Sequence, residues 1–312
     1  MASRRRSAFL ALVVAGTVLG SATGAPPESP PAPLPPIAYG PSRQVATLAN
    51  PEVDESSGLA CSRRAAGVFW THNDSGDTPR VFAFNAKGEH LATVTLAGAQ
   101  AWDWEDMASF EAGGKPYLVV ADIGDNLACR KTCTLYVVAE PAVGTREQPV
   151  AAEVPISYRV DFTYEDGPRD CEALAIDPTT GAMVLVSKEG IRCRVYELQP
   201  SRGKAAPGAP LPVARRIGEI ETSPAVAMDI SPDGRRAVVL TYADALEFAR
   251  GPKETWAEAF SRPPRALTMP RRRQGESICY GPDGKKLYLT SEKTPTPLLE
   301  VPVSEAKAPA DL

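Results

Sequence analysis

Asp103-Trp104-Glu105-Asp106-Met107-Ala108 decides the fold reading, because the chain repeats it. Looser copies are Asp170-Cys171-Glu172-Ala173-Leu174-Ala175, Gly275-Glu276-Ser277-Ile278-Cys279-Tyr280 and, more distantly, Glu55-Ser56-Ser57-Gly58-Leu59-Ala60. In each, acidic or small polar residues lead straight into a short apolar run. A second apolar run follows and ends in polar residues: His72-Asn73-Asp74-Ser75-Gly76-Asp77, Asp122-Ile123-Gly124-Asp125-Asn126, Ser187-Lys188-Glu189 and Ser291-Glu292-Lys293. Turn sequences such as Asp177-Pro178-Thr179-Thr180-Gly181, Ser231-Pro232-Asp233-Gly234 and Gly281-Pro282-Asp283-Gly284 separate the runs, which therefore read as strands. Helical periodicity is nearly absent, and one short helix is expected from Lys253 to Phe260.

A four-stranded unit recurring every ~50 residues is the signature of a propeller blade rather than a solenoid turn. The chain reads as an all-β fold, a β-propeller of five four-stranded blades. A sixth would follow if the long second unit, Met107 to Phe162, hides another strand pair. The last unit, Ser277 to Val303, ends one strand short, while the strand Arg43 to Leu48 has no partner nearby in sequence. That N-terminal strand is expected to supply the missing outer strand and close the ring, leaving no open edge at the seam.

The propeller is expected to occupy residues 37–312. Before it, Arg4-Arg5-Arg6 precedes an apolar run from Ala8 to Leu19, and small residues follow at Ser21-Ala22-Thr23-Gly24-Ala25. This is the pattern of a secretory signal peptide, residues 1–24, too short for a membrane span. Residues 25–36 are rich in proline and read as an extended linker. The product is expected in the periplasm or outside the cell, as a monomer without a membrane span. Removing residues 1–24 takes away three arginines and no acids, moving the formal charge from −4 to −7. An acidic chain argues against nucleic acid as a partner. The basic run Arg271-Arg272-Arg273 reads as a solvated loop.

Six cysteines in an exported chain suggest disulfides. Cys129 with Cys133 could staple one loop, Cys171 with Cys193 could bridge within one unit, and Cys61 with Cys279 would tie the first unit to the last. With only His72 and His90 in the mature chain, a histidine-rich zinc site is not expected.

In a propeller, the loops entering each inner strand and those joining second to third strands emerge on one face. Glu55, Asp103, Glu105, Asp170, Glu172 and Glu276 enter inner strands. Asn73, Asp74, Asp122, Asp125, Asn126, Glu189 and Glu292 end second strands. The fold should therefore gather them around one opening. Two carboxylates about 5 Å apart at an effective dielectric near 20 repel by roughly 3 kcal/mol. Protonation, Lys188 and Lys293, or a bound cation must relieve that repulsion. An all-oxygen donor set suits Ca²⁺ first, with Mg²⁺ or Mn²⁺ behind, and the candidate ligands are Asp103, Glu105, Asp122, Asp125, Asp170, Glu172 and Glu276. The competing reading is that these carboxylates cap turns and pair with the two lysines. Candidate catalytic groups are the carboxylates Glu105 and Glu172 and the one histidine near the mouth, His72. Trp70, Trp102 and Trp104 would offer stacking faces to a glycan at the rim, although packing between blades uses the same residues.

Together Glu55-Ser56-Ser57-Gly58-Leu59, Trp70-Thr71-His72-Asn73-Asp74-Ser75-Gly76, Asp103-Trp104-Glu105-Asp106, Asp122-Ile123-Gly124-Asp125-Asn126, Asp170-Cys171-Glu172-Ala173-Leu174, Ser187-Lys188-Glu189 and Gly275-Glu276-Ser277-Ile278 resemble a group of secreted bacterial β-propeller proteins. That group is similar to the domain called esterase-like activity of phytase and, more distantly, to calcium-binding propeller phytases. The resemblance implies the propeller and its acidic face. The chain lacks the dense Asp-rich runs and the phosphate-binding Lys and Arg set of propeller phytases, so it does not carry phytase action across. Two functions follow as expectations. One is a metal-dependent hydrolase of an ester or phosphoester; the other is a non-catalytic binding or scaffold propeller with a structural ion.

Overall fold

The computed structural model describes residues 37–199 and 209–305. The expected signal peptide and linker, and residues 201–208 of a Gly/Pro-rich insertion, lie outside the described residues. Two N-terminal strands, β1 (Ile37–Tyr39) and β2 (Arg43–Thr47), precede a first quartet of β3 (Ser56–Cys61), β4 (Val68–Asn73), β5 (Arg80–Asn85) and β6 (His90–Ala97). A second unit holds β7 (Trp104–Ala112), β8 (Lys115–Asp122), β9 (Cys133–Ala139), β10 (Val150–Pro155) and β11 (Tyr158–Tyr164). The third holds β12 (Cys171–Ile176), β13 (Met183–Ser187), β14 (Arg192–Leu198) and β15 (Val213–Glu221). The fourth holds β16 (Ala225–Ile230), β17 (Arg236–Thr241), β18 (Ala245–Ala249), the helix α1 (Trp256–Phe260) and β19 (Arg265–Leu267). Last come β20 (Ser277–Tyr280), β21 (Lys286–Thr290) and β22 (Pro297–Glu305).

The protein is all-β. Its described strands form four hydrogen-bonded sheets, and the largest runs β12-β13-β14-β15-β11-β9-β8-β7. Its end strands, β7 and β12, pack side by side, so this eight-strand path nearly closes on itself like a barrel. The join between its halves is short, a parallel contact of Thr163 and Tyr164 with Val213 and Ala214. The strands β3, β7, β12, β16 and β20 pack consecutively against one another, and β20 returns to β3. The N-terminal strand does find its expected partner: β2 pairs antiparallel with β22, and β1 adds to the far end of the same strand.

The outer strand expected at Val154 to Phe162 is two elements: β11 closes the second unit, whereas β10 leaves it and pairs in parallel with β6 of the first. The extra length of the second unit therefore extends a neighbour's edge and hides no further strand pair. The expected helix begins at Trp256, where Thr255 caps it and Glu258 returns the bond to the cap, a reciprocal capping box.

Strands such as β8 are buried on both faces, which is why Tyr117-Leu118-Val119-Val120-Ala121 reads as a continuous apolar run. Leu118 and Val120 join the core between the first and second units, while Val119 and Ala121 join the core between the second and third. Equivalent cores lie between the third and fourth and the fourth and fifth units, and Phe69, Phe82, Cys279 and Leu298 fill the seam between first and last.

The inner strands belong to separate units, so their axial N–H groups need other acceptors. Asp106 supplies them, accepting from Met107 N (2.8 Å) in its own strand, Leu174 N (2.8 Å) in β12 and Met228 N (3.2 Å) in β16. Asp229 continues the series by accepting from Tyr280 N (2.7 Å) in β20. Ser57 Oγ donates to Glu105 O (2.8 Å) between β3 and β7, and Ser56 Oγ meets Thr290 Oγ1 (2.7 Å) across the seam.

The cysteines correct the disulfide expectation: none of the six is bonded. Cys171 faces the core between the second and third units and Cys193 the core between the third and fourth, so their side chains point to opposite faces. Cys129 is exposed while Cys133 is buried. Cys61 and Cys279 do face each other, with sulfurs 3.7 Å apart, beyond the ~2.05 Å of a disulfide.

Replacing Asp106 by alanine strands three buried N–H donors. At about 1–3 kcal/mol each, the loss should reach ~3 kcal/mol or more and lower Tm by roughly 6–12 °C. Asp106→Asn, which keeps one acceptor oxygen, should lose less. Thermal melts read by circular dichroism check this; an alanine variant melting within about 2 °C of wild type would contradict it.

Candidate acidic centre

Side-chain aim at the mouth is set by irregularities in the inner strands. The pairing of β3, β7, β12 and β16 with their neighbours slips between Ser56 and Gly58, Trp104 and Asp106, Cys171 and Ala173, and Ala225 and Ala227. Each slip inserts one bulged residue, and a bulge re-aims its side chain. The bulged residues are Ser57, Glu105, Glu172 and Val226. Two are therefore carboxylates, while the fourth unit's is apolar, Val226, which packs in the core between the fourth and fifth units.

Seven predicted carboxylates meet. Oxygens of Asp74, Glu276 and Glu292 lie within 4.8 Å of one another, as do those of Asp74, Asp103 and Glu105, and those of Glu105, Asp170 and Glu172. Shared members Asp74 and Glu105 join the three triads into one acidic arc. The backbone closes tightly over it at Gly124, where a Cβ would lie 2.2 Å from Glu105 Oε1. Lys188 Nζ donates to Glu172 Oε1, but the buried Glu172 Oε2 has no hydrogen-bond partner.

Electrostatics follow from this crowding. Burial, then Asp74, pushes Asp103 up to about 6. Burial raises Glu105 well above the carboxylate range, and Glu172 adds to it. Burial pushes Glu172 up to about 8 against the pull of Lys188. Burial and a hydrogen bond with Glu292 push Glu276 up to about 9. Burial opposes the charge on Lys188, but the Glu172 carboxylate more than offsets it and holds the lysine protonated.

Other predicted residues are engaged elsewhere. Asp122 pairs with Arg130 (2.7 Å), and Asp125 accepts from Cys129 N (2.9 Å) and Arg130 N (2.7 Å), so both fold their own loop. Glu189 pairs with Arg169 (2.6 Å) and lies 3.7 Å from Arg194. Asn73 ties Glu52 O to Asp77, and Asn126 is exposed. Lys293 bridges Glu55 (3.5 Å) and Glu292 (3.4 Å) at the seam.

His72 is corrected as a catalytic base. It is fully buried, its Nδ1 donates to Asn73 O (2.8 Å), and its ring packs edge-on against Trp104. Gly58 leaves just enough room, since a Cβ there would lie 2.4 Å from His72 Nε2. Desolvation lowers its pKa to about 4, so it is a neutral packing residue shut away from any substrate. Trp70 and Trp104 are likewise buried, and of the three tryptophans offered to a glycan only Trp102 is exposed, at 67%.

Two participants escaped sequence reading. Arg130 takes Asp122 out of the cluster. Tyr242 of the fourth unit carries Lys188 over its ring at 5.6 Å and meets Glu276. Its signal was positional, because it follows a second strand as Lys188 and Glu292 do.

No family model matches the chain, so the resemblance drawn from its motifs stands on those motifs alone. No curated protein matches it either. Among solved structures it is similar to a 6-phosphogluconolactonase-like protein from Bacteroides uniformis, at 15% identity and a TM-score of 0.38, covering 80% of this chain and 67% of that one. A likeness at that level assigns no reaction.

The pH dependence has a definite sign. Glu172 and Glu276 bind protons more tightly folded than unfolded, so their contribution is fully present below about pH 4.5 and is lost as pH rises towards 9. In EDTA, Tm should fall by roughly 5 °C or more between pH 5.5 and pH 9. Scanning calorimetry across that window checks it; a flat or rising Tm would contradict it.

Proposed function

We propose that the chain is a secreted or periplasmic, monomeric five-bladed β-propeller whose acidic mouth holds a hard divalent cation, Ca²⁺ before Mg²⁺ or Mn²⁺, and hydrolyses an ester or phosphoester. The circular order of packed inner strands and the cores between consecutive quartets support the propeller. The basic-then-apolar stretch at residues 1–24 supports export. Among the described residues no helix is long and apolar enough to cross a membrane.

One observation carries the metal reading: Glu172 Oε2 is buried without a partner inside a triad with Glu105 and Asp170. An unpaired buried carboxylate oxygen is costly, and an oxygen-only donor set is what a hard cation takes. Asp74, Asp103, Glu105, Asp170 and Glu172 would hold it. When bound, such an ion supplies charge to polarise a substrate oxygen and to make water acidic. Lys188 donates to Glu172 Oε1 and offsets part of the cost of ionising it, and Gly124 keeps bulk off Glu105. Glu276, with its raised pKa, keeps a proton near neutrality that it can deliver to a leaving oxygen.

A second reading, a binding propeller with a structural ion, draws on the burial of His72, which leaves the mouth without a histidine base. The double variant Glu105→Gln, Glu172→Gln separates the two. On the hydrolase reading, it should lower kcat/KM for a carboxylic or phosphate ester at least ~100-fold while its metal-free melting temperature is retained. Loss of the Ca²⁺-dependent gain in Tm without any activity to lose would favour the structural ion. Absence of hydrolysis across ester and phosphoester panels with each of the three cations would sink the hydrolase.

A further inference from the structure

On the side of the molecule away from the acidic arc, a cavity of about 580 Å³ is lined by Arg63, Ser109, Phe110, Tyr117, Thr180 and Asp229, among others. Its volume lies within the range of small-molecule sites. It exists because the β7–β8 hairpin is longer than its neighbours. β7 has nine residues where β3, β12 and β16 have six, and its last turn stands clear of the ring. Phe110 and Tyr117 are cross-strand partners on that extension, stacked at 5.5 Å, half-buried, and seated on the core between the second and third units. They form a rigid aromatic wall.

The rest of the lining mixes apolar groups such as Ile176, Met183 and Ile230 with polar ones, whose charges are largely paired. Asp177 is held by Arg250 (2.7 Å) and Trp256 Nε1 (3.0 Å). Asp229 already accepts two backbone N–H groups, and the charge of Arg63 acts on it from across the cavity. Arg63 is fixed by Nε donating to Ser109 Oγ (3.1 Å). Its two terminal nitrogens make no ion pair or hydrogen bond among the described residues, so several N–H donors face the cavity unused.

We propose that this cavity is a binding site for a neutral saccharide, independent of the acidic mouth. The chemistry matches on both walls. A sugar ring carries a C–H face that packs on an aromatic wall, and hydroxyl oxygens that accept from a guanidinium fork. Arg63 is set against Asp229 and Arg250 against Asp177, and the further carboxylate, Glu111, sits at the exposed end of the hairpin, so the inner lining carries no unopposed charge that selects an ion. A ligand with many hydroxyls and no charge uses the donors of Arg63 and the hydroxyl of Thr180 without leaving an ion unpaired.

The test uses the whole exported chain in EDTA, with glucose, N-acetylglucosamine, maltose and cellobiose as probes in saturation-transfer NMR and calorimetry. At least one probe should bind saturably. Arg63→Gln, which can still bond Ser109, and Tyr117→Leu should each weaken that probe at least tenfold while melting near wild type, and Glu105→Gln, Glu172→Gln should leave it unchanged. No saturable binding by any probe would overturn the proposal. So would affinity within twofold of wild type in both cavity variants, loss of binding in the mouth variant, or a preference for glucuronate or glucosamine over glucose.

Discussion

One carboxylate at the axis, that of Asp106, is the constraint on which the arrangement depends. Inner strands of neighbouring units lie close but cannot form a ladder, so their axial N–H groups would be buried without acceptors. A backbone donor left so costs as much as a lost hydrogen bond. Asp106 answers for its own strand, β12 and β16 together, and Asp229 carries the pattern to β20. Ser56 and Ser57 complete the circuit to β21 and β7. Burial pushes the pKa of Asp106 up while its three N–H donors pull it down. The polar groups at the axis are thus structural, and the acids beside them are not needed to join the units.

That division of labour gives the acidic arc its meaning. A bulge at Glu105 and another at Glu172 turn carboxylates out of the sheets and into the mouth, next to Asp103 and Asp170 from the same loops. Like charges concentrated in this way raise one another's pKa, and only Lys188 among the described cations reaches Glu172. The equivalent bulge of the fourth unit carries a neutral residue, Val226, which packs in the core instead. Glu172 Oε2 is left without a hydrogen-bond partner, and the cation we propose would supply a partner.

Much of this was legible in the repeat. Acid-then-apolar entries located the inner strands, and the orphan Arg43 strand anticipated the pairing of β2 with β22. The same alignment brought Asp74, Asp103, Glu105, Asp170, Glu172, Glu276 and Glu292 to one place. What stayed hidden was set by partners distant in sequence or by single-residue geometry. Asp122 and Glu189 look like ligands until Arg130 and Arg169 take them. His72 looks like a base until Gly58 and Trp104 enclose it. A bulge has no sequence signature here, so nothing foretold which acid of Asp103-Trp104-Glu105-Asp106 faces the axis and which the mouth. Cys171 and Cys193 were separated by strand alternation, which sends them to different cores, and β10 left its unit to pair in parallel with β6, a partner distant in sequence.

We propose the arc between Glu105 and Glu172 as a cation site. The most direct measurement is anomalous diffraction from crystals soaked in Mn²⁺, a heavier stand-in for Ca²⁺ with the same preference for oxygen. A cation there should give an anomalous peak within about 2.0–2.6 Å of carboxylate oxygens of Glu105 and Glu172, displaced when Ca²⁺ is added in excess. A map with no peak in the arc at saturating Mn²⁺, or a peak only elsewhere on the surface, would contradict it.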